Sequence, residues 1–132
     1  MIAHDSVQTV SIIFIQIKHY NHTITPNTME RVAFKMKMFA GFEAEYLKRH
    51  NEIWPELVAL IKQTGISEYS IFLDKETLSL FGVLKAEKAA ALNDLPNHPV
   101  MQKWWLHMRD IMETNPDNSP LSIPLTEVFY LP

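Results

Sequence analysis

The run RVAFKMKMF (residues 31–39) alternates, with Val32, Phe34, Met36 and Met38 on one side and Arg31, Lys35 and Lys37 on the other. That period of two predicts a half-buried strand ending at Gly41. From Phe42 the spacing turns helical: Phe42, Tyr46, His50, Ile53, Leu57, Leu60 and Ile61 fall near one face, and Gly65 supplies a stop. EYSIFLD (68–74) and LSLFGVLKAE (78–87) read as two strands joined through KET, a hairpin-length link. EKAAALNDL (87–95) is helical by propensity and is interrupted by LPNHP. VMQKWWLHMRDIM (100–112) predicts a second amphipathic helix, with Asn97 as its cap and Pro99 near its first turn. TNPDNSPLSIP (114–124) is read as irregular, and TEVFYLP (126–132) as a closing strand.

The predicted order is β-α-β-β-α-β, an α+β, ferredoxin-like arrangement in which both helices cover one face of an antiparallel sheet. The other face is not polar, however. Leu78, Leu80 and Leu84 oppose Phe81 and Val83 in the third strand, and Tyr69, Ile71 and Leu73 oppose Phe72 in the second. The closing segment is apolar on both sides. An apolar face without helices calls for a second sheet packed about 10 Å away, and the simplest source is a second copy of the chain. A homodimer is therefore expected, forming a dimeric α+β sandwich.

Composition narrows the functional classes. Twelve basic and fifteen acidic residues give a net charge of −3 over 132 residues, enough chain for one core. No basic stripe marks a nucleic-acid partner. The chain has no cysteine, which excludes a thiol nucleophile and fits a reducing compartment. SIIFIQI (11–17) falls short of the ~20 apolar residues of a membrane helix, so no membrane role is expected. Residues 1–28 are read as an extension outside the core fold, and residues 29–132 as the single domain. His19 and His22 in the extension form a loose H-x-x-H pair, two donors where metal sites use three or four; no metal is assigned. With three glycines there is no phosphate-cradling loop.

Two groups of residues can carry chemistry. In YLKRHNEIWPEL (46–57), Tyr46 and His50 are four apart and share a helix face. Pro55 then breaks the helix, because it lacks a donor and clashes with the carbonyl four residues back. His50 is either a surface histidine beside a turn or a proton-transfer group near neutral pH; spacing leaves both open. Trp104 and Trp105 join Met101, Met108 and Met112 in one stripe. Neighbouring indoles sit ~100° apart around a helix, so both cannot face its centre. They are core residues, or one edges a pocket where an indole suits a sugar ring. Tyr69 shares its strand face with Ile71 and Leu73 and reads first as a core tyrosine, whose hydroxyl still needs a partner that a pocket would supply. The NPDNSP turn (115–120) offers a polar rim.

EYLKRHNEIWPEL, YSIFLDKETLSLFGVLK, KWWLHMRDIME, TNPDNSP and the closing EVFYLP, in that order, resemble the L-rhamnose mutarotase family from about Met29 to Pro132. The resemblance implies a cytoplasmic dimer of ferredoxin-like subunits, acting without cofactor, that interconverts the α and β anomers of L-rhamnose. It implies that His50 is the proton donor and that Tyr46, Tyr69, Trp104 and Trp105 bind the sugar. Rival readings are a small dimeric monooxygenase on the same sandwich and a non-catalytic sugar-binding module, since fold alone does not decide function.

Overall fold

The computed structural model describes residues 29–88 and 92–132. Strand β1 (Glu30–Lys37) leads into helices α1 (Glu43–Asn51) and α2 (Pro55–Gln63). Strands β2 (Ile66–Asp74) and β3 (Ser79–Ala86) form the hairpin, followed by a 3-10 turn at Leu95–Asn97, helix α3 (Pro99–Met108) and strand β4 (Ile123–Leu125). The strands pair in the order β2-β3-β1-β4, all antiparallel, as the ferredoxin-like reading requires.

Register explains the two faces. Phe34 pairs with Gly82 and Met36 with Leu80, while Ile71 and Leu73 meet the same two β3 residues from the other side. These even-numbered positions of β1 and β3 point toward the helices. There Met36, Met38, Leu57, Leu80, Trp104, Met108, Ile111 and Met112 form one buried cluster. Ile66, Leu84, Ala86, Leu92 and Leu95 form a second. The odd positions face away: Phe72 pairs with Phe81, Ser70 with Val83, and Lys35 with Ile123.

Proline organises both helix starts. Pro55 and Pro99 each stand in the first turn, where a missing N–H leaves no bond unmade. α1 therefore ends at Asn51 and α2 restarts after Trp54, whose carbonyl accepts from Leu57 and Val58. Gly65 ends α2 at φ 88°, a conformation that suits glycine.

Three local expectations are corrected. TEVFYLP forms no strand: β4 lies earlier, at Ile123–Leu125, inside the stretch read as irregular. An edge strand tolerates Pro124, because an N–H there has no ladder partner to lose. α3 is capped by His98, with no side-chain cap bond, and not by Asn97, which belongs to the preceding 3-10 turn. α3 also stops at Met108, four residues short of the predicted end. Of the helix expected over 87–95, residues 89–91 lie outside the described residues, as do residues 1–28 with His19 and His22. No described helix is long and apolar enough to cross a membrane.

Candidate functional site

The helix-facing side of β1 to β3, together with α1, α2 and α3, lines a half-open cavity of about 960 Å³. All five predicted site residues line it: Tyr46, His50, Tyr69, Trp104 and Trp105. The walls are chiefly apolar, and polar side chains enter from α1 and α2, from Ser67, Glu68 and Tyr69 of β2, from Lys75, and from Asn118 and Ser122 in the segment before β4.

His50 occupies the last turn of α1, just before the break. Its Nδ1 lies 3.1 Å from the Tyr46 carbonyl oxygen. A carbonyl only accepts, so in the neutral ring Nδ1 carries the hydrogen and Nε2 keeps its lone pair. The imidazole stacks on the Tyr46 ring at 4.3 Å between centroids and meets Trp104 edge-on at 5.4 Å. Burial holds its pKa below the usual imidazole range, partly offset by the bond to Tyr46. The neutral base is therefore the dominant form at pH 7.

Tyr46 is buried, and that burial, reinforced by Tyr69 nearby, pushes its phenol well above the ordinary range. Tyr69 leaves 40% of its surface exposed on the edge strand, but protein surrounds its phenol and burial pushes the pKa up to about 12. Both tyrosines remain protonated hydrogen-bond donors at neutral pH. Tyr69 reaches the cavity through an irregularity in β2. Ser67 pairs with Lys85 and Ser70 with Val83, so Glu68 and Tyr69 together oppose the single residue Leu84. This bulge lets Ile66 and Tyr69, an odd number of residues apart, both face the helices. Glu68 takes φ 48°, uncommon for a side-chain-bearing residue, and its carboxylate accepts from Lys85.

The tryptophans divide as their ~100° separation requires. Trp104 is only 7% exposed and belongs to the main core, with Trp54 set perpendicular to it at 5.1 Å. Trp105 is half-buried, packed against that core and on the cavity wall. The NPDNSP turn is held by its own side chains: Asn115 donates to Ser119 at 3.0 Å, and Ser119 donates to Asp117 from both its backbone and its hydroxyl.

Sequence reading missed two contributors. Arg49 donates to both carboxylate oxygens of Asp110 (2.8 and 3.1 Å), to Glu45 and to the His107 carbonyl. This fork fixes the end of α1, hence His50, against the end of α3; the hydrogen bonds from Arg49 in turn hold the Asp110 carboxyl below its usual pKa. The Glu45–Arg49 spacing was a local signal, while Asp110 lies sixty-one residues away. Trp54 was visible only as the residue before a proline. Among the described residues no group of three His, Cys, Asp or Glu side chains is placed to hold a metal.

Comparison with known proteins identifies the family. A family model described as L-rhamnose mutarotase matches residues 31–131. The chain is similar to an L-rhamnose mutarotase of Agrobacterium fabrum (strain C58 / ATCC 33970), 62% identical over 104 residues, covering 79% of this chain and 97% of the relative. It is also similar to one from Jannaschia sp. (strain CCS1), 60% identical over 104 residues, covering 79% and 100%. A crystal structure of an L-rhamnose mutarotase from Formosa agariphila superposes with a TM-score of 0.74 at 52% identity, covering 78% of this chain and 99% of that one.

Proposed function

The chain belongs to the L-rhamnose mutarotase family, and we propose that His50 carries the proton in its reaction while Tyr46, Tyr69, Trp104 and Trp105 hold the sugar. The activity is that of a carbohydrate isomerase interconverting the α and β anomers of L-rhamnose. Neither the monooxygenase nor the non-catalytic alternative finds support in the family, the relatives or the structural neighbour.

The observation that supports His50 is its anchored ring. Nδ1–H is committed to the Tyr46 carbonyl, and no described group bonds Nε2. In the proposed reaction, Nε2 takes the proton from the anomeric O1 hydroxyl. The electron pair on O1 forms the C1 carbonyl as the C1–O5 bond breaks, and the departing O5 takes the proton from the imidazolium. O1 and O5 sit on the same carbon, so one nitrogen can serve both. Rotation about C1–C2 and reversal of these steps close the ring on the other face. Protons balance without an outside acid, and no redox change occurs.

The tyrosine phenols stay protonated throughout and can donate to sugar oxygens. The exposed face of Trp105 offers an apolar plane for the ring. Asn118 and Ser122 supply polar contacts at the rim. Exchange NMR on α- and β-L-rhamnose tests the activity: the purified chain should accelerate exchange well beyond the buffer rate. A buffer-rate exchange would remove the reading.

We further propose that the helix-free face binds a second copy. Phe72 is 61% exposed, Ile123 53% and Phe129 77%, and Val83, Leu125, Val128 and Leu131 are also exposed. The apolar tail after β4 starts beside the same face. It is tied there by Arg31, which bonds Glu127 at 2.6 Å and lies 3.2 Å from the Tyr130 ring centre. Phe72→Glu should leave the subunit folded, because the position is open in one subunit. It should weaken association by several kcal/mol through burial of an unpaired charge. Sedimentation should then show a dimer for the native chain and a monomer for the variant; a native monomer would refute the dimer.

The family model's match begins at residue 31. Residues 1–28 are proposed to be dispensable: a chain starting at Met29 should stay folded, dimeric and active, read by circular dichroism, sedimentation and exchange NMR. With no cysteine to oxidise, the cytoplasm is the proposed compartment.

A further inference from the structure

Phe34 and Tyr69 belong to strands that are not neighbours: β3 runs between them. Adjacent strands lie about 4.8 Å apart, so a ring on β1 reaches a side chain on β2 only by crossing the β3 backbone. It crosses at Gly82, which pairs with Phe34 on one side and Ile71 on the other. A Cβ built on Gly82 would stand 2.4 Å from Phe34 Cζ, 2.6 Å from Cε2 and 3.0 Å from Cε1. The whole outer edge of the ring therefore occupies the space that any other residue's side chain would need. The far side of that ring meets Tyr69 edge-on, at 6.2 Å between centroids and 69° between planes.

We infer that Gly82 is a positioning residue for sugar binding: by carrying no side chain it lets Phe34 lie across the sheet and buttress Tyr69 at the cavity floor. This rests on the reading of the cavity as the sugar site. Covering a strand glycine with a cross-strand aromatic also stabilises a sheet, so stability alone does not separate the two roles. The bulge does. It turns Tyr69 onto the helix face, where its ring meets the ring of Phe34 edge-on. An added methyl at residue 82 is about 1 Å short of ordinary contact with the ring. Phe34 must then move, into the cavity or against Tyr69. The first movement narrows the cavity and the second displaces Tyr69, whereas His50 is carried by a different element, α1.

The test is a double-mutant cycle of Gly82→Ala and Phe34→Leu, read as exchange rate against L-rhamnose concentration in folded proteins. Gly82→Ala should raise KM about tenfold with kcat within about threefold of native, the signature of lost binding away from the reacting atoms. In the Phe34→Leu background, where no ring blocks the methyl, the same change should alter KM by less than about twofold. That non-additivity is the mark of direct coupling. Phe34→Leu alone should raise KM severalfold, since the buttress is gone, and it provides the reading should Gly82→Ala not fold. A native KM in either single variant, or an equal loss in both backgrounds, would overturn the inference. Failure of the native chain to exchange the anomers would instead strike the sugar-site reading itself, and the inference with it.

Discussion

Replacing His50 with alanine should lower the anomer exchange rate by about 10²–10⁴-fold, the usual worth of a positioned general acid–base. The fold should survive. The ring is half-buried, and its one polar bond, to the Tyr46 carbonyl, releases an oxygen that already accepts within the helix. Sugar affinity should fall less than rate, because Tyr69 and Trp105 still bound the cavity. The pH profile gives an independent signature. Burial holds the folded pKa of His50 below the usual imidazole value, so native activity should be flat through neutrality and fall only on acidification through that depressed pKa. The same shift has a stability consequence. In the acidic interval between the depressed folded pKa and the ordinary one, the unfolded state binds a proton the native state does not, so native stability declines as pH falls through it. His50→Ala should remove both dependences. Exchange NMR at several pH values, with melting curves alongside, reads them; native-like exchange by the folded variant would show that another group moves the proton, with Tyr46 the first to examine.

The parts legible in the sequence are those whose cause is local. Alternation in residues 31–38 revealed β1 and its helix-facing side, and the KET link revealed the hairpin. The proline after His50 marked the end of α1. The tryptophan pair announced that both indoles could not face the centre of the stripe, and Trp104 is buried while Trp105 lies half-buried beside it. What was not legible depends on pairing across the chain. Ile123–Leu125 is too short and too proline-marked to read as a strand, and it becomes one only because β1 offers a free edge. The reverse error has the same root. Val128, Phe129, Tyr130 and Leu131 carry strand-like residues, but no strand among the described residues pairs with them, and they stay exposed. The bulge at Glu68, the fork from Arg49 to Asp110 and the passage of Phe34 over Gly82 are likewise set by distant partners. No window of sequence contains both ends of any of them. The candidate catalytic residue was therefore visible while the devices that position it and its neighbours were not.

The tryptophan pair should separate structure from binding within one helix. Trp104→Ala should destabilise the protein by about 3–5 kcal/mol, the range for emptying a large buried aromatic site. Trp104 is 7% exposed and carries contacts that cannot collapse together. Trp54 stands perpendicular to it at 5.1 Å, His50 meets its edge at 5.4 Å, and His107 lies at 5.5 Å. Its loss also frees the His50 ring on one side, so any activity left in the folded fraction should show reduced kcat as well as raised KM. Trp105→Ala should behave differently. Half-buried on the cavity wall, it gives up less packing, and its truncation should mainly raise KM for L-rhamnose, by about tenfold or more, since even one missing methylene in an apolar pocket costs about 1–3 kcal/mol. Its melting point should stay much closer to native than that of Trp104→Ala. Chemical denaturation measures the first effect and concentration-dependent exchange NMR the second. If Trp105→Ala is as unstable as Trp104→Ala and keeps a native KM, both indoles are core residues and the sugar must be held by other walls of the cavity.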